Sequence, residues 1–326
     1  MIRYCPLHNP LLSPIRFCLV SVSLVSFWLL CCIETVCAQS LRVVSYNVEN
    51  FFYPEKDSLS DDGEWTPEGE RHWSFTRYYS KTENIARVLT NIGEWDGVDA
   101  VGLQEVENAM CVKRLCYTLR AGEYDFVHYD SPDPRGIDVA FIYKKARLDT
   151  IRTRAIRVEG ALVTRDILYV CAQADKRDTL HFFVCHLPSQ RGGKAESAWK
   201  REAVRKVLQT AVDSIYQTDC HARIIVMGDM NDEGLQFNGL ADKRMPGDGT
   251  HKYQGRWHFL DHFYLSPGID SVSQAQVYDA EWIQEPDNMY LGLKPKRTYN
   301  GFYYLNGYSD HLPIVLSISC KNKERH

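Results

Sequence analysis

No two cysteines in this chain of 326 residues are spaced Cys-x-x-Cys, so the paired-thiolate spacing of zinc sites is excluded. No internal repeat and no Pro/Ser-rich linker divides it, which favours one domain over two. An excess of basic charge is also missing. With 38 Lys and Arg against 42 Asp and Glu, the formal net charge is −4. A protein that coats nucleic acid by charge alone is thereby excluded, and any such affinity must be local, from a basic rim around a site. Long apolar runs are scarce too. The one at 17–33 is a little short for a spanning helix and is interrupted by Ser21, Ser23 and Ser26.

What is there begins with that run. Arg3 and Arg16 precede it and Val36-Cys37-Ala38 follows with small residues, the pattern of a secretory signal peptide over residues 1–38. The expectation is an exported chain, periplasmic or extracellular, with a catalytic domain over 39–326, no stable membrane insertion after cleavage and a monomeric state. An uncleaved anchor is the alternative. Lipid attachment at Cys32 or Cys37 is disfavoured because Cys31 and Val36 poorly replace the small residue such sites need. Cleavage takes away two basic and one acidic residue, leaving −5. It also removes five of the eleven cysteines. Cys111, Cys116, Cys171, Cys185, Cys220 and Cys320 remain, an even number that permits disulfides without pairing them. Cys171 and Cys185 lie in strand-like runs and read equally well as buried thiols.

β-type runs recur at 41–48, 100–106, 138–143, 167–174, 180–187, 223–228, 259–265 and 312–319. Helical patterns fall between them at 78–92, 112–119 and 195–215, the last with Ala203, Val207, Ala211 and Ile215 on one stripe. The interleaving lacks a strict βαβ rhythm and suits a mixed-sheet α/β sandwich. Two loops stand out. Residues 54–70 are rich in Asp, Glu and Gly, and 57–63 resembles a calcium loop but fails the template at Leu59, so it reads as solvated surface. The polar stretch 235–255 reads as a loop beside a site or a disordered excursion.

Polar groups cluster at the ends of the β-type runs: Asn47 within SYNVEN, Gln104-Glu105, His186-Leu187-Pro188, Gly228-Asp229-Met230-Asn231 and Ser309-Asp310-His311. Converging on one spot, they would form a metal-assisted phosphodiesterase. Such a reaction needs charge relief on the phosphate, an activated water and help for the leaving oxygen. Glu105 is a hard ligand suited to magnesium, and Asn47 could share that metal. Singly, each reads as a surface carboxylate or a turn residue. Asp229 could take a proton from water while Asn231 holds a phosphate oxygen, though the same residues form ordinary turns. His186 and His311 could move a proton or stabilise phosphoryl charge, each needing a carboxylate to fix its tautomer. Asp138 and Asp261 are the candidates. Arg135, Arg191 and Lys194 are possible phosphate contacts, the last two in a Gly-containing loop that opens a helix.

This ordered set resembles the endonuclease/exonuclease/phosphatase superfamily, which includes deoxyribonuclease I and exonuclease III. The pieces run in order through SYNVEN, LQEVEN, RGIDVAFIY, VCHLPSQRGG, GDMND, LDHFYLS and SDHLPIV. The resemblance implies a four-layer α/β sandwich, two packed mixed β-sheets flanked by helices. It implies Mg2+, with Mn2+ or Ca2+ as substitutes, held chiefly by Glu105 with Asn47 and Asp310 nearby. Asp229 would activate water, Asn231 would hold a phosphate oxygen, and His311 paired with Asp261 would bind the phosphate. His186, paired with Asp138, would stand on the leaving-group side.

His186 and its basic loop point to a nuclease-like enzyme acting on DNA or RNA. The turn Met227-Gly228-Asp229 and the later Leu260-Asp261-His262 lack the Trp and Cys-Asp-Arg of inositol-phosphate phosphatases. A sphingomyelinase-like aromatic hairpin at Trp282 and 299–304, a phosphomonoesterase, and a non-catalytic surface module are the other readings. No expected catalytic position carries an inert residue, which speaks against the last.

Overall fold

Runs such as ILYVCA at 167–172 and FFVC at 182–185 have no polar face, and strands of that kind must be covered on both sides. They are so covered. The computed structural model describes residues 40–57, 60–160, 162–176 and 178–319. The expected signal peptide at 1–38 and Cys320 lie outside the described residues.

The first sheet begins with β1 (Leu41–Phe51), β2 (Ala100–Val106), β3 (Tyr124–His128) and β4 (Asp138–Lys144). The second holds β5 (Leu148–Ile156), β6 (Ile167–Ala174), β7 (Asp178–His186), β8 (Arg223–Asp229), β9 (Ala241–Asp242) and β10 (Asp261–Leu265). The chain then returns to the first sheet with β11 (Ser273–Val277) and β12 (Ile314–Ile318). The orders are β11-β12-β1-β2-β4-β3 and β5-β6-β7-β8-β10-β9. Each sheet has one parallel pair, β1 with β2 and β7 with β8, and is otherwise antiparallel. A parallel pair needs a crossover, supplied by α1 (Phe75–Gly93) in the first case and α3 (Lys194–Thr218) in the second. A further helix, α2 (Ala109–Arg120), joins α1 outside the first sheet. The result is a four-layer α/β sandwich of helices, sheet, sheet and helix.

Alternate residues of the double-faced strands divide between two cores. Leu168, Val170, Phe182, Val184, Ile225 and Met227 point between the sheets. Tyr169, Cys171, Phe183, Cys185, Ile224 and Val226 point outward and meet Val204, Leu208 and Val212 of α3. Phe182 and Phe183 therefore serve opposite faces, and truncating either to Ala would cost about 3–5 kcal/mol. The cysteines Cys111, Cys116, Cys171, Cys185 and Cys220 are all free thiols, so no disulfide forms among the described residues.

Two expectations about loops need revision. Residues 54–70 are not simply solvated surface. Trp65, in a 3-10 turn at Gly63–Trp65, is buried against Phe52 with ring centroids 4.8 Å apart, and Asp62 is buried as well. The stretch 235–255 is ordered by β9 and by a hairpin of His251–Tyr253 with Arg256–His258. Of the aromatic segment 299–304, Tyr299 packs in the core on Trp65, while Phe302 and Tyr303 stand exposed at the turn.

Candidate active site

The two parallel pairs face each other across the sandwich, β1 against β8 and β2 against β7. Their four carboxyl ends therefore meet, and ligands of α/β sheets gather at such ends. Asn47 ends the regular part of β1, Glu105 lies near the end of β2, and His186 and Asp229 close β7 and β8. Cross-strand register fixes the rest. His186 lies beside Asp229, which lies beside Asp261 of the antiparallel β10, so the three form one row.

Local backbone breaks turn these ends into a site. The β1–β2 register slips between Asn47 and Phe51, where Glu49 and Asn50 take φ of 53° and 54°. The β2–β4 register slips between Gln104 and Val106, with Glu105 at φ 64°. These are bulges with left-handed residues that re-aim a side chain at the end of a strand. Gly228 has φ 145°, and a Cβ there would collide with the Cys185 carbonyl oxygen, so only glycine lets β7 and β8 close up beside Asp229.

The contacts converge on Asp229. Asn47 Nδ2 donates to Asp229 Oδ2 at 3.1 Å and to Glu105 Oε1 at 3.3 Å. His186 Nε2 is 3.6 Å from Asp229 Oδ2 and 3.9 Å from Glu105 Oε1. His311 Nε2 is 3.8 Å from the same Asp229 oxygen, while its Nδ1 is bonded to Asp261 Oδ2 at 2.8 Å. Asp229 Oδ1 accepts the Asn231 amide N–H at 2.9 Å, and Asn231 Nδ2 donates to the Leu187 carbonyl at 3.0 Å. The Asn50 N–H donates to Glu105 Oε2 at 2.9 Å.

Burial and neighbours set the charges. Burial pushes the Asp229 carboxyl up to about 7, the nearby His311 opposing and Asp261 adding to the rise. Burial also penalises the His311 cation, but the Asp261 and Asp229 carboxylates outweigh it and hold its pKa well above the ordinary value. His186 goes the other way, driven well below the ordinary value by burial and by the Arg165 and Arg135 cations.

Asp138 is where the expectation fails. No hydrogen bond or ion pair joins it to His186. Its carboxylate accepts the Ser131 N–H at 3.1 Å and lies 3.6 Å from His128 Nε2, in a separate cluster with Asp130. The bulge at Glu105 pairs Asp138 with Val106 rather than with Glu105 itself. His186 Nδ1 has no hydrogen-bond partner. Asp310, expected beside a metal, is bonded to Arg297 Nη2 at 2.9 Å. Arg135 is half-exposed and binds Asp133, while Arg191 is exposed on the loop that opens α3 and Lys194 is exposed as the first residue of that helix.

Sequence reasoning missed several members. Glu49 is buried and accepts the Thr298 N–H at 2.6 Å and an Arg297 bond at 3.4 Å. Burial and the neighbouring Asp310 push its carboxyl up to about 7. Buried Lys81 donates to Thr298 Oγ1 and to the Tyr308 carbonyl. A signal existed for it: it lies on the apolar stripe of α1 between Tyr78 and Ile85. His251 packs on His311 with ring centroids 4.7 Å apart and planes tilted by 39°, and burial lowers its pKa to about 4. Arg165, also buried, donates to the His186 and Leu187 carbonyls and to Asp133 at 2.7 Å. Nothing local in the sequence marks Arg165, His251 or Arg297.

The donor set fits a hard divalent cation. Glu105 has no Lys or Arg at ion-pair distance among the described residues; its Oε1 faces the Asn47 amide and His186 Nε2, and the same Asn47 amide reaches the Asp229 carboxylate.

A family model described as the endonuclease/exonuclease/phosphatase family matches residues 42–237 and 234–320. The chain belongs to that family. It is a hydrolase acting on phosphoric ester bonds. No curated protein matches it. Among solved structures, truncated TDP2 from Caenorhabditis elegans is similar at 18% identity and TM-score 0.57, covering 88% of this chain and 100% of that one. A mannosyl-6-phosphatase from Bacteroides thetaiotaomicron is similar at 17% identity and TM-score 0.57, covering 85% and 98%. A family protein from Bacteroides vulgatus gives 12% identity and TM-score 0.57, covering 87% and 100%. At such identities the likeness is one of fold.

Proposed function

We propose that this site hydrolyses phosphodiester bonds of DNA or RNA as an endonuclease dependent on a divalent cation, Mg2+ first, with Mn2+ or Ca2+ as substitutes. The observation that carries it is the meeting of Asn47, His186 and His311 on one oxygen of Asp229, beside Glu105. Glu105 would hold the cation, with Asn47 and Asp310 close by. When bound, the cation relieves charge on the phosphate. Asp229 Oδ2 takes the proton of the attacking water, its raised pKa matching it to a base near neutrality. His311, its Nδ1 held by Asp261, keeps its Nε2 proton and gives a hydrogen bond to the phosphate. Asn231 offers its second amide hydrogen to a phosphate oxygen. His186, neutral and fixed by Arg165 through its own carbonyl, stands on the leaving-group side.

Arg135, Arg191 and Lys194 support a polymeric substrate, because they extend positive charge beyond the reacting group, where a polyanion runs. The fold likeness to a mannosyl-6-phosphatase favours a second reading, a phosphomonoesterase. Residues 39–326 incubated with plasmid DNA and RNA, with and without chelator, separate the two. Nicking restored by Mg2+ supports the endonuclease. Failure with every divalent metal, together with release of phosphate from sugar phosphates or of phosphocholine from sphingomyelin, overturns it. Export is part of the same proposal, supported by the N-terminal pattern of the sequence. Sequencing the mature N-terminus tests it, with a start near Gln39 expected.

A further inference from the structure

The helix α2 has two unlike faces. Cys111, Val112, Leu115 and Cys116 are buried, as the inward stripe of a packed helix should be. The opposite stripe, Met110, Lys113, Arg114 and Tyr117, keeps the same three- and four-residue spacing but is not the purely polar surface expected there. Met110 is 52% exposed and Tyr117 65%. With Tyr53 and Tyr79 these four line a cavity of about 300 Å³ between α2, α1 and the chain just past β1. That size is at the lower end for a small-ligand pocket. Arg114 Cζ lies 4.7 Å from the Tyr79 ring centroid and 5.7 Å from that of Tyr117. Neither Arg114 nor Lys113 makes an ion pair among the described residues. The Tyr53 ring is braced edge-on by Tyr78, with centroids 5.5 Å apart. Chain connection puts the cavity beside the cleft. Asn108, three residues past Glu105, caps α2 by accepting the Met110 and Cys111 N–H groups. The Asn50 N–H is bonded to Glu105, and Tyr53, three residues on, lies within roughly 11 Å of Asn50 even at full extension.

We propose that this cavity takes an unpaired base of a single-stranded polynucleotide, with Arg114 and Lys113 on the neighbouring phosphates; the inference rests on the nuclease reading of the cleft. Every base has a face that stacks, and tyrosine rings receive it at small cost in side-chain freedom. A guanidinium held over rings instead of by a carboxylate keeps its N–H donors free for a phosphate. Single exposed apolar residues need no explanation. Here they share one cavity with two uncompensated cations, whose charge suits a polyanion and not an uncharged apolar partner. A duplex keeps its bases inside the stack, so it cannot fill the cavity without unpairing. The consequence for the cleft is a preference for single strands and unpaired loops, anchored a few nucleotides from the bond that is cut.

The test is the fluorescence anisotropy of a short labelled oligothymidylate, read in chelator so that binding is measured without cleavage. It compares residues 39–326 with Tyr117→Ala, Tyr117→Phe and Arg114→Gln, all at exposed positions where the fold does not depend on the side chain. Tyr117→Ala is expected to weaken binding roughly tenfold, and Tyr117→Phe, which keeps the ring, to stay within about twofold of the parent. Arg114→Gln should flatten the log–log salt dependence by about 0.7, one phosphate contact on a single strand. An abasic strand of the same length should bind the parent roughly tenfold more weakly than the thymidine strand. Equal binding of the abasic strand, or a Tyr117→Ala variant that binds as the parent does, overturns the proposal. So does Tyr117→Ala losing only its pelleting with anionic vesicles while strand binding is untouched, since the cavity then serves a lipid surface. Adding Mg2+ to the same samples separates this inference from the nuclease reading. A parent that cuts the strand no better than Tyr117→Ala loses the subsite alone. One that binds through Tyr117 but cuts nothing loses the nuclease reading alone, and one that neither binds nor cuts loses both.

Discussion

His186 and His311 stand 3.6 and 3.8 Å from the same Asp229 oxygen, yet the two flanks of the cleft give them opposite charges. The His186 flank is cationic: Arg165 is locked to the backbone at His186 and Leu187, and Arg135 shares Asp133 with it. The His311 flank is anionic, with Asp261 on its Nδ1 and Asp310 next in sequence. One imidazole is thereby held neutral and the other protonated at the same pH. Neighbouring charge, not residue type, assigns the roles, as it does wherever two like titratable groups perform different tasks.

Removing the shared carboxylate breaks both sides of this comparison and should have the largest effect. Asp229→Asn is expected to lower kcat roughly 10⁴-fold. Stability should move the other way. The folded pKa of Asp229 is raised above that of the unfolded chain, so ionising it costs stability as pH rises through neutrality. In chelator, the variant should melt above the parent at pH 8, with the gain shrinking toward pH 4. A lower melting temperature at pH 8 would contradict the assignment.

Asp261→Asn attacks the anionic flank alone. The expected loss in kcat is roughly 10²- to 10³-fold, and the pH profile makes the effect specific. The working form of His311 is its cation, present below its folded pKa and lost as pH rises through it. Without the Asp261 carboxylate that pKa falls, so the alkaline limb should shift to lower pH. A uniform loss with an unmoved limb would make Asp261 a merely structural residue.

The flanks differ in how far sequence announces them. The anionic side and the catalytic row lie at strand ends, where an apolar run stops at a carboxylate or imidazole, and Asn47, Glu105, His186, Asp229, Asp261 and His311 are legible for that reason. The layered fold follows from the same runs, since strands without a polar face require cover on both sides. The cationic side is not legible. Arg165 comes from an irregular stretch before β6 and reaches β7 only because β6 and β7 are hairpin neighbours. Asp138 misled for a related reason: a one-residue bulge at Glu105 shifts the partner of Asp138 to Val106, and bulges leave no mark in an apolar pattern.

Arg165→Met would test that cationic side at its base. It leaves Asp133 buried without its closest partner and two carbonyls unbonded, so a stability loss of about 3–5 kcal/mol is expected in chemical denaturation. In the folded fraction His186 should become more basic. Its neutral form exists above its pKa, so the acid limb of activity should move to higher pH, with kcat at neutrality changing roughly tenfold or less.

Arg135→Ala should have the smallest effect and separates long-range charge from direct binding. Its pair with Asp133 is half-exposed and contributes about 0–1 kcal/mol, so folding should be nearly unchanged. If Arg135 acts on the substrate, KM for a polymer rises several-fold while KM for a small phosphodiester stays put, and the salt dependence of binding weakens by about one phosphate contact. If it acts only through His186, both substrates respond alike and the acid limb creeps upward, in the direction Arg165→Met moves it further. Steady-state kinetics on the two substrates at two salt concentrations decide whether the cationic flank ends at the imidazole or extends along the substrate.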